Sequence, residues 1–209
     1  MFFKKKKKSV KTSDKVWISK VEKFRGLYNH LDSVSQSGAF LLIINQFENT
    51  HQEVQQMLNK LGLSHQHLTE TTTMLEAVNI FTINAESALD LSVSTLLASE
   101  LANKTGLQAI ITEHHPSFRQ EQILLGHLQD LLPTLSIEVF TAIEEPFMQV
   151  FGGERITAIM ERIGVKENEF LEHTMITKSI TRAQQKVDKS MGQNITANSQ
   201  QEWMDKSGL

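Results

Sequence analysis

Four short apolar runs constrain this chain more than anything else in it. Ala39 to Ile44 is continuously apolar, and 78–83, 107–112 and 136–141 are further strand candidates rich in Ile, Leu, Val and Phe, the last also holding Ser136, Glu138 and Thr141. A strand with that pattern is buried on both faces, since a strand with one wet face alternates polar and apolar side chains. A weaker strand lies at 65–68. Between the runs the spacing changes to three and four. Val21, Phe24, Leu27, Tyr28 and Leu31 mark one amphipathic helix, and Val54, Met57, Leu58 and Leu61, stopped by Gly62, mark a second. Asp90 is placed to cap a helix carrying Leu91, Leu96, Leu97 and Leu101, and 122–132 is apolar on more than one side, closed by Pro133. Parallel strands need long crossovers, usually helical, so this alternation predicts an α/β fold with a mostly parallel sheet between two helical layers.

After Pro146 the pattern is helical only. Phe147, Val150 and Phe151 lead into Ile156, Ile159, Met160 and Ile163; Gly164 interrupts, and a helix follows over 175–187. From Lys189 the chain turns polar. The expected organisation is a basic disordered tail over 1–13, an α/β domain over 14–145, a helical extension over 146–188 and a flexible tail over 189–209.

Charge is unevenly spread. Residues 1–25 hold ten Lys/Arg against two Asp/Glu, and the remainder holds 11 against 22, so a basic head of +8 precedes a body of −11. An acidic body is a poor nucleic-acid platform, because affinity for the phosphate backbone comes from Lys/Arg. The run Lys4, Lys5, Lys6, Lys7 and Lys8, preceded by Phe2 and Phe3, reads as a solubilising tail or as a contact for an anionic membrane surface or acidic partner, where each Lys contributes roughly 1 kcal/mol. No 18-residue apolar run and no signal peptide is visible. The absence of cysteine excludes disulfides and Cys-type metal sites. Together these point to a cytoplasmic protein, with attachment at the inner membrane as an extension. His65 and His67, and the pair His114 and His115 beside Glu113, lack a third ligand in the sequence pattern, so no metal site is expected.

One ordered set of segments carries a family resemblance. Asp14-Lys15-Val16-Trp17 and Glu22-Lys23-Phe24 come first. Val54-Gln55-Gln56-Met57-Leu58, Gly62-Leu63-Ser64-His65 and Ala85-Glu86-Ser87-Ala88-Leu89-Asp90 follow. Then come Thr112-Glu113-His114-His115-Pro116-Ser117-Phe118-Arg119, Phe151-Gly152-Gly153-Glu154-Arg155 and Glu172-His173-Thr174-Met175. In order and spacing they resemble the second motor domain of SecA, the protein translocation ATPase, and the start of its helical scaffold, over roughly residues 14–188. The resemblance implies a three-layer RecA-like domain of P-loop NTPase type with a short all-helical C-terminal extension. It also implies a family in which ATP sits between two such domains.

The departures from the family pattern concern the chemistry. This sequence has no G-x-x-x-x-G-K-[ST] loop. Where the family has Ala-Gly-Arg-Gly-Thr-Asp, only Ala85 and Asp90 persist; Glu86 and Ala88 replace glycines and Ser87 replaces the arginine. Where the family has Arg-Gly-Arg-Ala-Gly-Arg, the arginine positions hold Leu125, His127 and Asp130, and Gly126 alone of the first three survives. Arginines at such positions stabilise the transferred phosphoryl group and each accounts for a factor of ~10³ or more. The expectation is a pseudoenzyme without catalytic residues, in which Asp90 and Arg119 are vestigial nucleotide contacts. ATP or ADP binding is at most residual. The partners implied by the resemblance are SecA itself, the SecYEG channel or a preprotein. Ile176, Ile180 and Val187, cut off from the rest of a scaffold, would offer an apolar face for a homodimer. The alternatives are a nucleotide-binding sensor without hydrolysis and a nucleic-acid-binding relic of the helicase-like fold.

Overall fold

Strand β2 (Leu41–Asn45) is buried along its whole length, and the fold is arranged around it. In this computed structural model, which describes residues 12–37, 39–69, 78–92, 106–190 and 195–209, β2 pairs with β4 (Ile80–Asn84) on one side and β5 (Gln108–Ile111) on the other. β3 (Gln66–His67) closes one edge. β6 (Ser136–Ala142) and then β1 (Ser13–Trp17) extend the other, giving the order β1-β6-β5-β2-β4-β3. Every pairing is parallel.

Side chains leave β2 alternately to two cores, as a strand's period of two requires. Leu41 and Ile43 face α1 (Lys20–Ser37) and α2 (Glu48–Lys60), packing with Leu27, Leu31, Val54 and Leu58. Leu42 and Ile44 face α3 (Ala85–Asp90) and α4 (Phe118–Leu131), packing with Ala88, Leu124, Leu125 and Leu128. This is the three-layer RecA-like architecture expected from the sequence. A third core lies beyond the carboxyl end of β6. It joins α5 (Pro146–Phe151), α6 (Gly153–Ile163), α7 (Thr174–Ser190) and α8 (Gln200–Ser207) through Phe147, Met160, Ile180 and Trp203.

The structure departs from the sequence expectations in three places. Segment 13–17 is a strand, although only Val16 and Trp17 are apolar; it is an edge strand that pairs with β6, so the pattern of full burial does not apply. Residues 200–207 are a packed helix and not a flexible tail, with Trp203 0% exposed. The signal was the spacing Ser199-x-x-Glu202: the Ser199 hydroxyl caps the helix by accepting from the Glu202 amide. Ile176, Ile180 and Val187 are buried within the chain's own third core, so they form no open face for a homodimer. Asp90 is the last residue of α3, whose amino end is capped by Asn84; Leu96, Leu97 and Leu101, on the helix that Asp90 was expected to cap, lie outside the described residues. Lys4 to Lys8 also lie outside them.

Gly26 in α1 sits against the indole of Trp17, and a Cβ there would collide with its ring. Trp17 is in turn held by Phe140 and Phe170, with ring centroids at 4.9 and 5.2 Å. Gly26→Ala is therefore expected to destabilise by about 1–3 kcal/mol, although alanine gains roughly 1 kcal/mol of helix propensity over glycine. Urea unfolding of the two proteins checks the sign.

Candidate functional site

In open α/β sheets ligands bind outside the carboxyl ends of the strands, where successive connections go to opposite faces. Here that point is the end of β2. The helix after β2 packs on one face, while those after β4 and β5 pack on the other. The loop 112–117, which joins β5 to α4, runs across this end of the sheet, and all six of its residues are buried.

Buried backbone polar groups need partners, and side chains from three distant helices supply them. Lys23 Nζ of α1 donates to the Thr112 carbonyl at 2.7 Å, Gln200 Nε2 of α8 to the His114 carbonyl at 2.8 Å, and Gln184 Nε2 of α7 to the His115 carbonyl at 2.8 Å. The Ser117 amide donates to His115 Nδ1, and the Ser117 hydroxyl caps α4 by accepting from the Gln120 amide and donates to Asp188 Oδ1 at 2.6 Å. The Thr112 hydroxyl donates to Asn45 Oδ1 at 2.8 Å, which ties the loop back to β2.

The loop's ionisable groups are strongly perturbed. Burial pushes the Glu113 carboxyl up to about 7, against the pull of Lys23. Lys23 is itself committed to Glu145 Oε1 at 2.6 Å, and Glu113 Oε1 has no hydrogen bond. Burial alone would lower the His114 imidazole, but it lies between Glu121 (3.1 Å) and Asp14 (3.4 Å), which together hold it well above the usual histidine range. Burial opposes ionisation of Asp14 too, but His114 outweighs it and the carboxyl is lowered. His115 is pushed down to about 4 by burial, which outweighs the pull of Glu121, so its ring is neutral. That ring stacks on Phe47 (5.5 Å) and meets Trp203 edge-on (5.1 Å).

A crevice of about 400 Å³ opens at the end of β2, walled by Phe47, Leu89, His115, Ile123 and Trp203, with Glu86 at the rim. Among the described residues that line it, none is Lys or Arg. Arg119 lies in a neighbouring cavity with Gly126, His127 and Asp130, exposed, its amide donating to Asp188 Oδ2 at 2.9 Å. Asp90 is exposed and lines neither cavity. The structure thus does not bring Asp90 and Arg119 into one pocket. Of the positions where the resemblance expects arginines, Leu125 is buried in the core under α4 and Asp130 is exposed. His127 Nε2 meets the Leu91 carbonyl at 2.7 Å. His65 bonds Gln55 and the Leu63 carbonyl, while His67 packs on His51. Among the described residues no three metal-type ligands cluster, and no helix is long and apolar enough to cross a membrane.

No family model matches the chain. Individual proteins do match it. It is 31% identical over 185 residues to the protein translocase subunit SecA of Christiangramia forsetii, covering 85% of this chain and 16% of that protein. It is 31% identical over 188 residues to SecA of Amoebophilus asiaticus, again across 85% and 16%, and 28% identical over 189 to SecA of Phocaeicola vulgatus, across 85% and 17%. The chain is a partial homologue of SecA. It spans about a sixth of the length of these SecA proteins. Among solved structures, the C-terminal part of the Fun30 ATPase domain superposes with a TM-score of 0.43 at 12% identity, over 78% of this chain and 54% of that one, a likeness too loose to carry an argument.

The signs of the shifts give a pH dependence. Glu113 ionises near 4.5 when exposed and near 7 in the fold. Its protonated form is favoured by folding, so stability falls as pH rises from 4.5 to 7. His115 acts on the acid side: its contribution is full above 6.5 and is lost as pH falls through 4. Glu113→Gln removes the alkaline loss and is expected to stabilise the protein at pH 8 by about 1–3 kcal/mol, with little gain near pH 4. Chemical denaturation of both proteins at the two pH values measures it.

Proposed function

We propose that this SecA homologue is a non-hydrolysing, partner-binding protein that works in protein translocation. The crevice carries the reading: among the described residues, the place where an α/β sheet receives its ligand is lined mostly by aromatic and aliphatic side chains, with a carboxylate at the rim and no Lys or Arg. A polyphosphate needs cations or clustered backbone amides, and a nearby carboxylate repels it. Asp90 and Arg119 stand in no common pocket, which argues against the nucleotide-sensor alternative. The translocation context rests on the kinship with SecA proteins, the proposed partners being SecA, SecYEG or a preprotein. The proposed place of action is the cytoplasm or the inner-membrane surface, with Lys4 to Lys8 as the membrane contact.

Two measurements test this. Calorimetric titration with millimolar ATP and Mg²⁺ is expected to show no binding heat and no hydrolysis above background; turnover by the chain alone would contradict the reading. Affinity purification of the tagged protein from its native host is expected to recover SecA, SecY or inner-membrane vesicles, with recovery reduced when residues 1–13 are removed. Recovery without any component of the translocation system would refute the assigned context.

A further inference from the structure

Helix α7 carries a stripe of four cations that no carboxylate among the described residues pairs with. Lys178, Arg182, Lys186 and Lys189 are all exposed. They follow one another at steps of four, four and three, so they share one face of the helix. The body that carries them is acidic, with 11 Lys/Arg against 22 Asp/Glu over residues 26–209. Elsewhere Lys15, Lys20, Lys23, Arg25, Lys166 and Lys206 each meet a carboxylate. The acid of α7 itself, Asp188, is committed to α4: its two carboxyl oxygens accept from the Ser117 hydroxyl and the Arg119 amide. Like charges at these steps repel and weaken a helix, so a counter-charge brought from outside relieves the stripe.

The amino-terminal half of the stripe borders a groove. Lys178 and Arg182 line a cavity of about 600 Å³ between α7 and α4, together with Thr174, Thr177, Thr181 and Phe118. Thr12 lines it too, so the six lysines of residues 1–11 join the fold beside the same groove. Asp14 and Glu121 also line it, but both are buried and hold the His114 imidazole between them at 3.4 and 3.1 Å, so their charge is met inside the fold. Shape and lining choose among anionic partners. A bilayer is flat and does not enter a groove between two helices. A single strand of nucleic acid stacks successive bases on aromatic side chains, and Phe118 is the one Phe, Tyr or Trp among the described residues of the lining. A polypeptide suits it: threonine hydroxyls donate to and accept from a main chain, and side-chain carboxylates meet the cations. The spacings agree as well. Four residues of helix rise about 6 Å, and alternate residues of an extended chain repeat at about 6.5–7 Å.

We infer that α7, along its cationic stripe and the groove it forms with α4, docks an extended acidic polypeptide segment whose carboxylates on alternate residues pair with Lys178, Arg182, Lys186 and Lys189. This rests on the partner-binding reading and names the chemistry of the segment recognised. The carboxylates supply the attraction, and the threonine-lined groove holds the main chain.

The test titrates the ¹⁵N-labelled full chain with two acetylated, amidated peptides, Ser-Glu-Ser-Glu-Ser-Glu-Ser-Glu-Ser and its counterpart with Gln in place of every Glu. The Glu peptide is expected to bind saturably and to move the amide resonances of 174–189. It is expected to bind about tenfold more weakly to Lys178→Gln/Arg182→Gln and to Lys186→Gln/Lys189→Gln, the loss of two solvent-screened ion pairs in each. The Gln peptide is expected to leave the spectrum unchanged. Arg155→Gln/Arg162→Gln removes two exposed charges from α6; it controls for net charge and is expected to bind like the unaltered chain. Unchanged β2 and β5 amide resonances in each variant certify its fold. No binding of the Glu peptide, equal binding of both peptides, unchanged affinity in both α7 variants, or an equal loss in the α6 variant would overturn the inference. So would movement confined to residues 1–12, which would assign the attraction to the lysine-rich head alone. Phosphatidylglycerol vesicles and poly(U) RNA are run in parallel, and tighter binding of either than of the Glu peptide, lost in the same α7 variants, would overturn the polypeptide assignment. The partner-binding reading fails separately: it falls if no translocation component co-purifies, whatever the peptides do.

Discussion

A loop that crosses the end of a sheet in the protein interior must find partners for its backbone, and the rest of this structure follows from how it does so. The carbonyls of Thr112, His114 and His115 are taken by Lys23, Gln200 and Gln184. Those donors stand on α1, α8 and α7, at sequence separations of 89, 86 and 69 from the carbonyls they meet, so one loop fixes the positions of three helices from both sides of it in the chain. The cost of an unmet buried carbonyl, about 1–3 kcal/mol, makes each of these contacts hard to give up. The helical extension is therefore integrated with the sheet domain. The Val16–Leu171 bridge on the outer edge of β1 is a second tie between them.

The same requirement shapes the crevice. With α8 anchored by Gln200, Trp203 stands against His115 and Phe47 as a wall of the cavity at the end of β2. Burial keeps His115 neutral, so the wall contributes no charge. On α4, Leu125 has become part of the core and His127 meets the Leu91 carbonyl. Positions that the SecA resemblance associates with phosphate chemistry are here absorbed into packing and local hydrogen bonding. The crevice stands where an α/β sheet receives its ligand, and the described residues that line it are mostly apolar.

The sheet was legible because its central strands are buried on both faces, and full burial writes itself into consecutive residues such as Leu41 to Ile44. β1 was hidden because an edge strand carrying Asp14 and Lys15 needs no such run. Helix α8 was hidden for another reason. Its residues are mostly polar, and Trp203 and Met204 are the side chains it buries most deeply; only the Ser199-x-x-Glu202 spacing announces it. The crevice could not be read at all, since Gln46 and Trp203 are 157 positions apart in sequence and nothing local marks either as a lining residue. Asp90 and Arg119 are a different case. Each matches a family position, but exposure and location separate them.

The apolar wall at the end of β2 requires α8 to be a permanent part of it. Native-state hydrogen exchange of the amides in 200–207 and 112–117 measures this directly. The α8 amides and the loop amides are expected to exchange slowly and through a shared opening, with protection approaching that of β2 and β5. Rapid exchange in 200–207 while the loop and the sheet stay protected would mean that the C-terminal helix is only loosely attached, and the apolar wall at the end of β2 would lose its basis.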